Sequence, residues 1–301
     1  MIDNIFRGVH TALITPFTST RSVDIGSFKR LVEYQIESGI DGLVPCGTTG
    51  ESSTLTHDEH DRVIALTVEY ADGRVPVIAG TGSNATSEAI QLSQHAEQAG
   101  VDAVLLVNPY YVKPTQKGLY LHFKAIAEAV SIPCIPYNIQ GRCGVNLENE
   151  TLHRLMSEHS NIVGVKEASG SLEQMKNLIN KRHDEFVVLC GDDNMTVDLI
   201  EAGGNGVVSV AANLIPRQMK EMVQLAIGGD IEQARELEQK LMPFFEACFL
   251  ETNPIPIKTA MAMKKWCRES FRLPMCTLSR KEHYETIRQA MADLDIPEGQ
   301  I

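Results

Sequence analysis

The 301-residue chain lacks any stretch of eighteen consecutive apolar residues, which excludes an ordinary membrane-spanning helix. Its opening, Met1-Ile2-Asp3-Asn4, has no basic flank leading into an apolar segment, so no secretory signal is expected and a cytoplasmic location follows. The seven cysteines (Cys46, Cys134, Cys143, Cys190, Cys248, Cys267 and Cys276) are odd in number and scattered, with no CxxC pair. A disulfide framework is therefore not expected in a chain of this size. Cys46, Cys134 and Cys190 sit in apolar runs, as small buried hydrophobes do in a reducing compartment. Basic residues are also in short supply, 27 against 39 acidic ones, for a net charge of −12. That balance disfavours nucleic acid and other polyanions and leaves room for a local basic pocket that takes a small anion.

What is present is the composition of a globular protein, 43% hydrophobic and 22% charged, in a chain long enough to bury a sizeable core. Eight short apolar runs rich in β-branched residues recur: Val9 to Pro16, Gly42 to Cys46, Val75 to Ala79, Ala103 to Val107, Pro133 to Tyr137, Ile162 to Val165, Phe186 to Cys190 and Gly206 to Val210. Continuous runs, rather than alternation, suit parallel strands buried on both faces. Helical patterns separate them. Phe28, Leu31, Val32 and Ile36 fall at i, i+3, i+4 and i+8, and Thr86 to Glu97, Leu119 to Val130 and Leu147 to Met156 read similarly. Eight βα units predict an α/β fold, a closed (β/α)8 TIM barrel over residues 1–229, with an open doubly wound sheet as the alternative. After Gly228-Gly229-Asp230 the strand runs stop. Helical segments at Ile231 to Cys248, Ile257 to Cys267 and Arg280 to Leu294, punctuated by Pro254, Pro256 and Pro274, predict a small C-terminal helical domain over 230–301.

Such barrels carry their chemistry at the carboxyl ends of the strands. The second run leads into Gly47-Thr48-Thr49-Gly50-Glu51, where glycines flank two hydroxyl residues: a receptor for a carboxylate, or an ordinary turn. The fourth ends in Asn108-Pro109-Tyr110-Tyr111 and the fifth in Tyr137-Asn138-Ile139-Gln140-Gly141-Arg142. Tyrosines there relay protons or simply edge a core, and Arg142 offers a planar fork for a carboxylate or is solvated. The sixth run is the informative one, because Asn161-Ile162-Val163-Gly164-Val165-Lys166-Glu167 places a lysine inside an apolar strand. Desolvation drives such a lysine toward the free amine, a nucleophile for carbonyls, unless it points outward or pairs with Glu167.

Two other patterns stop short of a site. Gly80-Thr81-Gly82-Ser83-Asn84-Ala85 matches a dinucleotide-binding turn, yet no acid closes the next strand, since Asp102 precedes it. Gly191-Asp192-Asp193 and the His57/His60 pair lack a third ligand at metal-binding spacing, and the two histidines read as exposed residues near a helix start. Neither a metal nor an organic cofactor is expected.

Taken in order, Gly47-Thr48-Thr49-Gly50-Glu51, Asn108-Pro109-Tyr110-Tyr111, Tyr137-Asn138 with Gly141-Arg142, Val165-Lys166-Glu167-Ala168-Ser169-Gly170 and Asn253-Pro254-Ile255-Pro256-Ile257-Lys258 make the chain resemble the dihydrodipicolinate synthase and N-acetylneuraminate lyase superfamily nearly end to end. The resemblance implies a (β/α)8 barrel with a C-terminal helical domain, assembled as a homotetramer (a dimer of dimers), and a Schiff base between a lysine and pyruvate. Within the superfamily Thr48 and Arg142 favour the dihydrodipicolinate synthase branch, whose members condense pyruvate with L-aspartate 4-semialdehyde to 4-hydroxy-tetrahydrodipicolinate in lysine and diaminopimelate biosynthesis. The alternatives are another pyruvate-dependent class I aldolase acting on a sugar acid or sialic acid, and a non-catalytic binder of oxo acids.

Carried over by position, the resemblance makes Lys166 the nucleophile. It makes Tyr137, Thr48 and Tyr111 a hydroxyl relay, with Tyr111 reaching into a neighbouring subunit. Thr48 and Thr49 are expected to bind the pyruvate carboxylate, Arg142 the semialdehyde carboxylate, and the Val208 backbone to lie near pyruvate. Gln140 and Cys143, flanking Arg142, depart from the family's usual Pro and Thr, and Thr277 replaces a frequent proline. Ser52, Ser53, Leu55, His57, His60, Asn84, Glu88 and Tyr110 fall where lysine-sensitive members bind L-lysine, so feedback inhibition is expected, with Glu88 for an ammonium and Asn84 and Tyr110 for a carboxylate.

Overall fold

The computed structural model describes residues 5–299; Met1 to Asn4, on which the leader reading rests, lie outside the described residues. The eight apolar runs form eight strands: β1 Gly8–Ala12, β2 Gly42–Val44, β3 Ile78–Gly80, β4 Ala103–Val107, β5 Cys134–Asn138, β6 Gly164–Glu167, β7 Val187–Cys190 and β8 Gly206–Ser209. They pair in parallel in the order β2-β1-β8-β7-β6-β5-β4-β3. The ring closes where β2 meets β3, through a parallel bridge between Leu43 and Val77 and a 3.0 Å bond from the Gly80 N–H to the Pro45 carbonyl. An open sheet has two free edges; this one has been joined into the expected (β/α)8 barrel.

Helices α1 (Ile25–Glu37), α2 (His57–Ala71), α3 (Thr86–Ala99), α4 (Gln116–Ala129), the single turn α5 (Gln140–Cys143), α6 (Asn149–Glu158), α7 (Leu172–Ile179), α8 (Thr196–Glu201) and α9 (Pro216–Ile227) fill the connections. Local chemistry starts several of them. Asp24 accepts from the Ser27 N–H at 3.1 Å ahead of α1, and Thr56 and Glu59 form a reciprocal capping box at the head of α2. Strand alternation then divides the interior in two. One face of each strand packs against the helices, as Val9, Val104, Val165 and Val188 do, and the other fills the barrel, as Ala12, Leu105, Ile135, Tyr137, Leu189 and Val208 do. Cys46, Cys134 and Cys190 are buried, as their apolar surroundings predicted.

The C-terminal residues form α10 (Ile231–Ala247), α11 (Ile255–Met263) and α12 (Lys281–Ala292), with α10 packed on α8 and α9. The second of the three helical expectations shifts: α11 begins two residues before Ile257 and ends at Met263 rather than Cys267. Pro256 sits in its first turn, where a missing N–H breaks no helical bond, and Lys265 in the left-handed region (φ 63°) ends it. No helix among the described residues is long and apolar enough to cross a membrane.

Candidate active site

Lys166 lies on β6 in register with Tyr137 of β5 and Leu189 of β7. Because Val165 faces the helices and Ala168 belongs to the barrel filling, alternation turns Lys166 into the barrel. Lys166 is 6% exposed, and its Nζ stands 4.0 Å from the centroid of the Tyr137 ring. Burial pulls the ammonium down to about 8, against the opposing pull of Asp192 and Asp193. Room for it comes from Gly191, where a Cβ would stand 3.1 Å from the lysine Cε and 2.5 Å from the Ala168 methyl. The alternative pairing with Glu167 is not made. Glu167 faces the other way, accepting from the Ser169 N–H at 2.7 Å and from Asn138 Nδ2 at 3.1 Å.

Tyr137 meets Thr48 through their hydroxyls, and burial pushes its phenol well up while Arg142 draws it back in part. The phenol thus stays protonated at neutral pH and can hand its proton on only through hydrogen-bonded partners. Thr48 belongs to the turn after β2, where the Gly50, Glu51 and Ser52 N–H groups bond back within the turn. The N–H groups of Thr48 and Thr49 have no acceptor among the described residues, which leaves two donors for an anion. The Thr49 hydroxyl accepts from Asn253 Nδ2 at 2.9 Å. Arg142, exposed on α5, reaches the Asn253 carbonyl at 3.4 Å. Val208, 1% exposed, points into the barrel from β8, and Asp193 ties down the chain just beyond it by accepting from the Val210 and Ala211 N–H groups.

A cavity of about 430 Å³ opens over this centre, lined among others by Thr48, Tyr137, Ile139, Arg142, Cys143 and Asn253. Lys166 lies beneath Tyr137 rather than on the wall. The same cavity continues along Ser52, Ser53, Leu55, His57, His60, Glu88 and Tyr110, so seven of the eight residues expected to form the L-lysine site share one hollow with Thr48, Tyr137 and Arg142. Asn84 is the eighth, and it is not brought to the wall. His57 Nε2 meets Glu88 at 2.9 Å, and Ser83 donates to the same carboxylate. One expectation is corrected here: His57 is exposed, whereas His60 is buried, its Nε2 2.8 Å from the Gly80 carbonyl, because α2 turns that face toward the barrel. Tyr111 is not brought into this chain's site either. It stands 87% exposed with a left-handed backbone (φ 72°).

Four residues that the sequence motifs contain were given no role in the site by the sequence: Asp192, whose charge opposes the lowering of Lys166, Asn253, and the buried pair of Glu51 and Lys258 at 2.6 Å. Glu51 and Lys258 are 207 residues apart, and no local pattern links them. Cys143, beside Arg142, is held up at about 11 by burial, which leaves its thiol protonated and inert. No group of three or more His, Cys, Asp or Glu side chains suited to a metal occurs among the described residues, and Asp193 accepts backbone donors through Oδ2.

The model of the dihydrodipicolinate synthetase family matches residues 5–293. The 4-hydroxy-tetrahydrodipicolinate synthase of Syntrophus aciditrophicus is 50% identical over 287 residues, covering 95% of this chain and 98% of that protein. Among solved structures, the chloride-inhibited dihydrodipicolinate synthase of Acinetobacter baumannii complexed with pyruvate matches with a TM-score of 0.94 at 44% identity, over 96% of this chain and 99% of that one. The lysine-bound enzyme of Cyanidioschyzon merolae matches with a TM-score of 0.94 at 39% identity, over 97% of this chain and 99% of that one. With a barrel, an inward lysine and these relatives in agreement, the chain belongs to the dihydrodipicolinate synthetase family.

Proposed function

We propose that this protein condenses pyruvate with L-aspartate 4-semialdehyde through a Schiff base on Lys166, residues 1–229 forming the catalytic barrel and 230–301 a helical appendage. The observation that carries the reading is the buried, inward-facing amine of Lys166, lowered to about 8 and packed on Tyr137. The free amine attacks the pyruvate keto carbon, water leaves, and an iminium forms. The iminium nitrogen accepts the electron pair released when a methyl proton is lost, giving an enamine that attacks the aldehyde carbon. The semialdehyde's own amine then displaces Lys166 by transimination as the ring closes. Tyr137 and Thr48 pass protons in these steps, with Tyr111 of a neighbouring subunit completing the relay. The pyruvate carboxylate takes the free N–H groups of Thr48 and Thr49 beside the Val208 backbone, and the semialdehyde carboxylate takes Arg142.

L-Lysine is the proposed inhibitor, bound along Ser52, Ser53, Leu55, His57, His60, Glu88 and Tyr110 in a homotetramer, with Asn84 brought in by assembly. Support comes from the continuity of this wall with the catalytic cavity and from the lysine-bound relative.

Borohydride reduction with pyruvate, followed by peptide mass mapping, tests the chemistry: the adduct is expected on Lys166 and absent from Lys166→Ala. An assay of aspartate semialdehyde against N-acetylneuraminate, repeated with millimolar L-lysine, tests substrate and regulation. Turnover of the sugar acid alone overturns the substrate assignment, and rates indifferent to lysine overturn the inhibition.

A further inference from the structure

The carboxylate-binding turn is held from outside the barrel. At its far end Glu51 takes a left-handed conformation (φ 53°), unusual for a residue with a side chain. Its carboxylate is 2.6 Å from Lys258 Nζ, with the two side chains 1% and 0% exposed, and it also accepts from the Arg272 N–H at 3.3 Å. Lys258 Nζ lies 4.0 Å from the Phe17 ring centroid and 5.2 Å from that of Phe271. This second buried lysine is thus committed to an ion pair and two aromatic faces. Five residues earlier, at the head of the same helix, Asn253 is buried and lines the cavity, and its amide Nδ2 donates to the Thr49 hydroxyl at 2.9 Å. Helix α11 and the residue that leads into it therefore grip the turn at two points, Glu51 and Thr49.

A hydroxyl that accepts from an amide on one side has its own proton left to donate on the other. No second partner of the Thr49 hydroxyl occurs among the described residues. We propose that Asn253 is a positioning residue for the keto-acid carboxylate: by filling the acceptor side of the Thr49 hydroxyl it commits Thr49 to donate toward the substrate, while the Glu51–Lys258 pair fixes the turn that carries the Thr48 and Thr49 N–H groups. This inference rests on the proposed pyruvate chemistry and adds that its carboxylate receptor is completed by the C-terminal helices. Arg142 meets only the backbone carbonyl of Asn253, a contact that substitution of the side chain leaves in place.

The isosteric Asn253→Asp substitution inverts the polarity at Thr49. A carboxylate can only accept, so the Thr49 proton turns away from the substrate and a negative charge is added beside an anion site. Steady-state kinetics of Asn253→Asp and Asn253→Ala in the full-length enzyme are expected to raise the KM for pyruvate about 30-fold or more and about 5–10-fold respectively, with the KM for the semialdehyde changed less than about 3-fold. As the pH falls and the introduced carboxylate takes up a proton, the excess KM of the Asn253→Asp variant over wild type is expected to shrink, a response that a packing role does not give. In a Thr49→Val background, Asn253→Ala is expected to add nothing to the KM for pyruvate. Equal pyruvate KM in all variants, or an Asn253→Asp variant better than Asn253→Ala with no pH response, overturns the proposal. If Asn253→Asp does not fold, the Thr49→Val cycle decides alone, and a full additional effect of Asn253→Ala there overturns it. Borohydride trapping on wild-type Lys166 separates the two levels: a failure there rejects the Schiff-base reading, whereas trapping with unchanged KM values rejects only the role of Asn253.

Discussion

At the scale of single residues, one strand position carries the proposed chemistry. Lys166 and Glu167 are adjacent and both buried, yet one side chain enters the barrel and the next faces the helices, since successive strand side chains alternate. With the amine at about 8, roughly one molecule in ten holds it free at pH 7. The rate of borohydride trapping at low pyruvate is therefore expected to climb as pH rises from 7 to 9, with a midpoint near 8; a flat profile contradicts the assignment. Tyr137→Phe is expected to lower kcat about 10²–10⁴-fold while leaving the trapped adduct on Lys166, the range usual for loss of a positioned proton carrier. Lys166, Tyr137, Thr48 and Arg142 were all legible in the sequence as candidates, because each lies at or soon after the end of an apolar run and strand ends in such barrels converge. Asn253 was not legible as a partner of the turn, because nothing in an Asn-Pro dipeptide says which hydroxyl it will meet.

Among elements, the contacts that matter join segments far apart in the chain. Arg272 clamps the head of α2: its guanidinium bonds both oxygens of Glu59 at 2.6 Å, the Thr54 carbonyl at 2.9 Å and the Arg21 carbonyl at 2.7 and 2.9 Å. The guanidinium holds the Glu59 carboxyl down at about 2. A carboxyl depressed in the folded state stabilises it fully above the unfolded value, about 4.5, and that contribution fades as pH falls from there toward 2. Arg272→Ala is expected to cost about 2 kcal/mol at pH 7, as loss of a bidentate charged contact does, and much less near about pH 2.5. Urea titrations at the two pH values check this, and an equal loss at both removes the pair from the stability account. The N-terminus of α2 was legible as a helix start. Its link to a residue more than two hundred positions away was not, and neither was the burial of His60, since the sequence shows the helix but not which barrel strand lies beneath it.

For the whole molecule, the exposed run Tyr110-Tyr111-Val112 is the feature a lone subunit leaves unexplained. Tyr111 is 87% exposed in a backbone conformation that bulky residues rarely adopt. If it serves a neighbouring site, subunits that fail separately must repair one another. Lys166→Ala and Tyr111→Phe are each expected to be nearly inactive alone, and their co-expressed mixture to regain about a quarter of wild-type activity, the statistical share of complete sites in random dimers. A mixture no better than its parents shows that Tyr111 does not act across an interface.

Eight apolar runs and the helical patterns between them determined an α/β fold of eight parallel strands, with the barrel as its expected form, and the neighbourhood of the candidate site. That information is local: burial of both strand faces writes itself as continuous apolar runs, and a closed parallel ring brings their ends together. Tertiary structure alone decided the direction of Lys166, the exclusion of Glu167 from its company, the joining of the two candidate pockets into one cavity, and the reach of α11 back to the turn at Gly47 to Glu51. Those depend on which segments meet in space, and a pair of side chains 207 residues apart leaves no periodicity from which their meeting could be read.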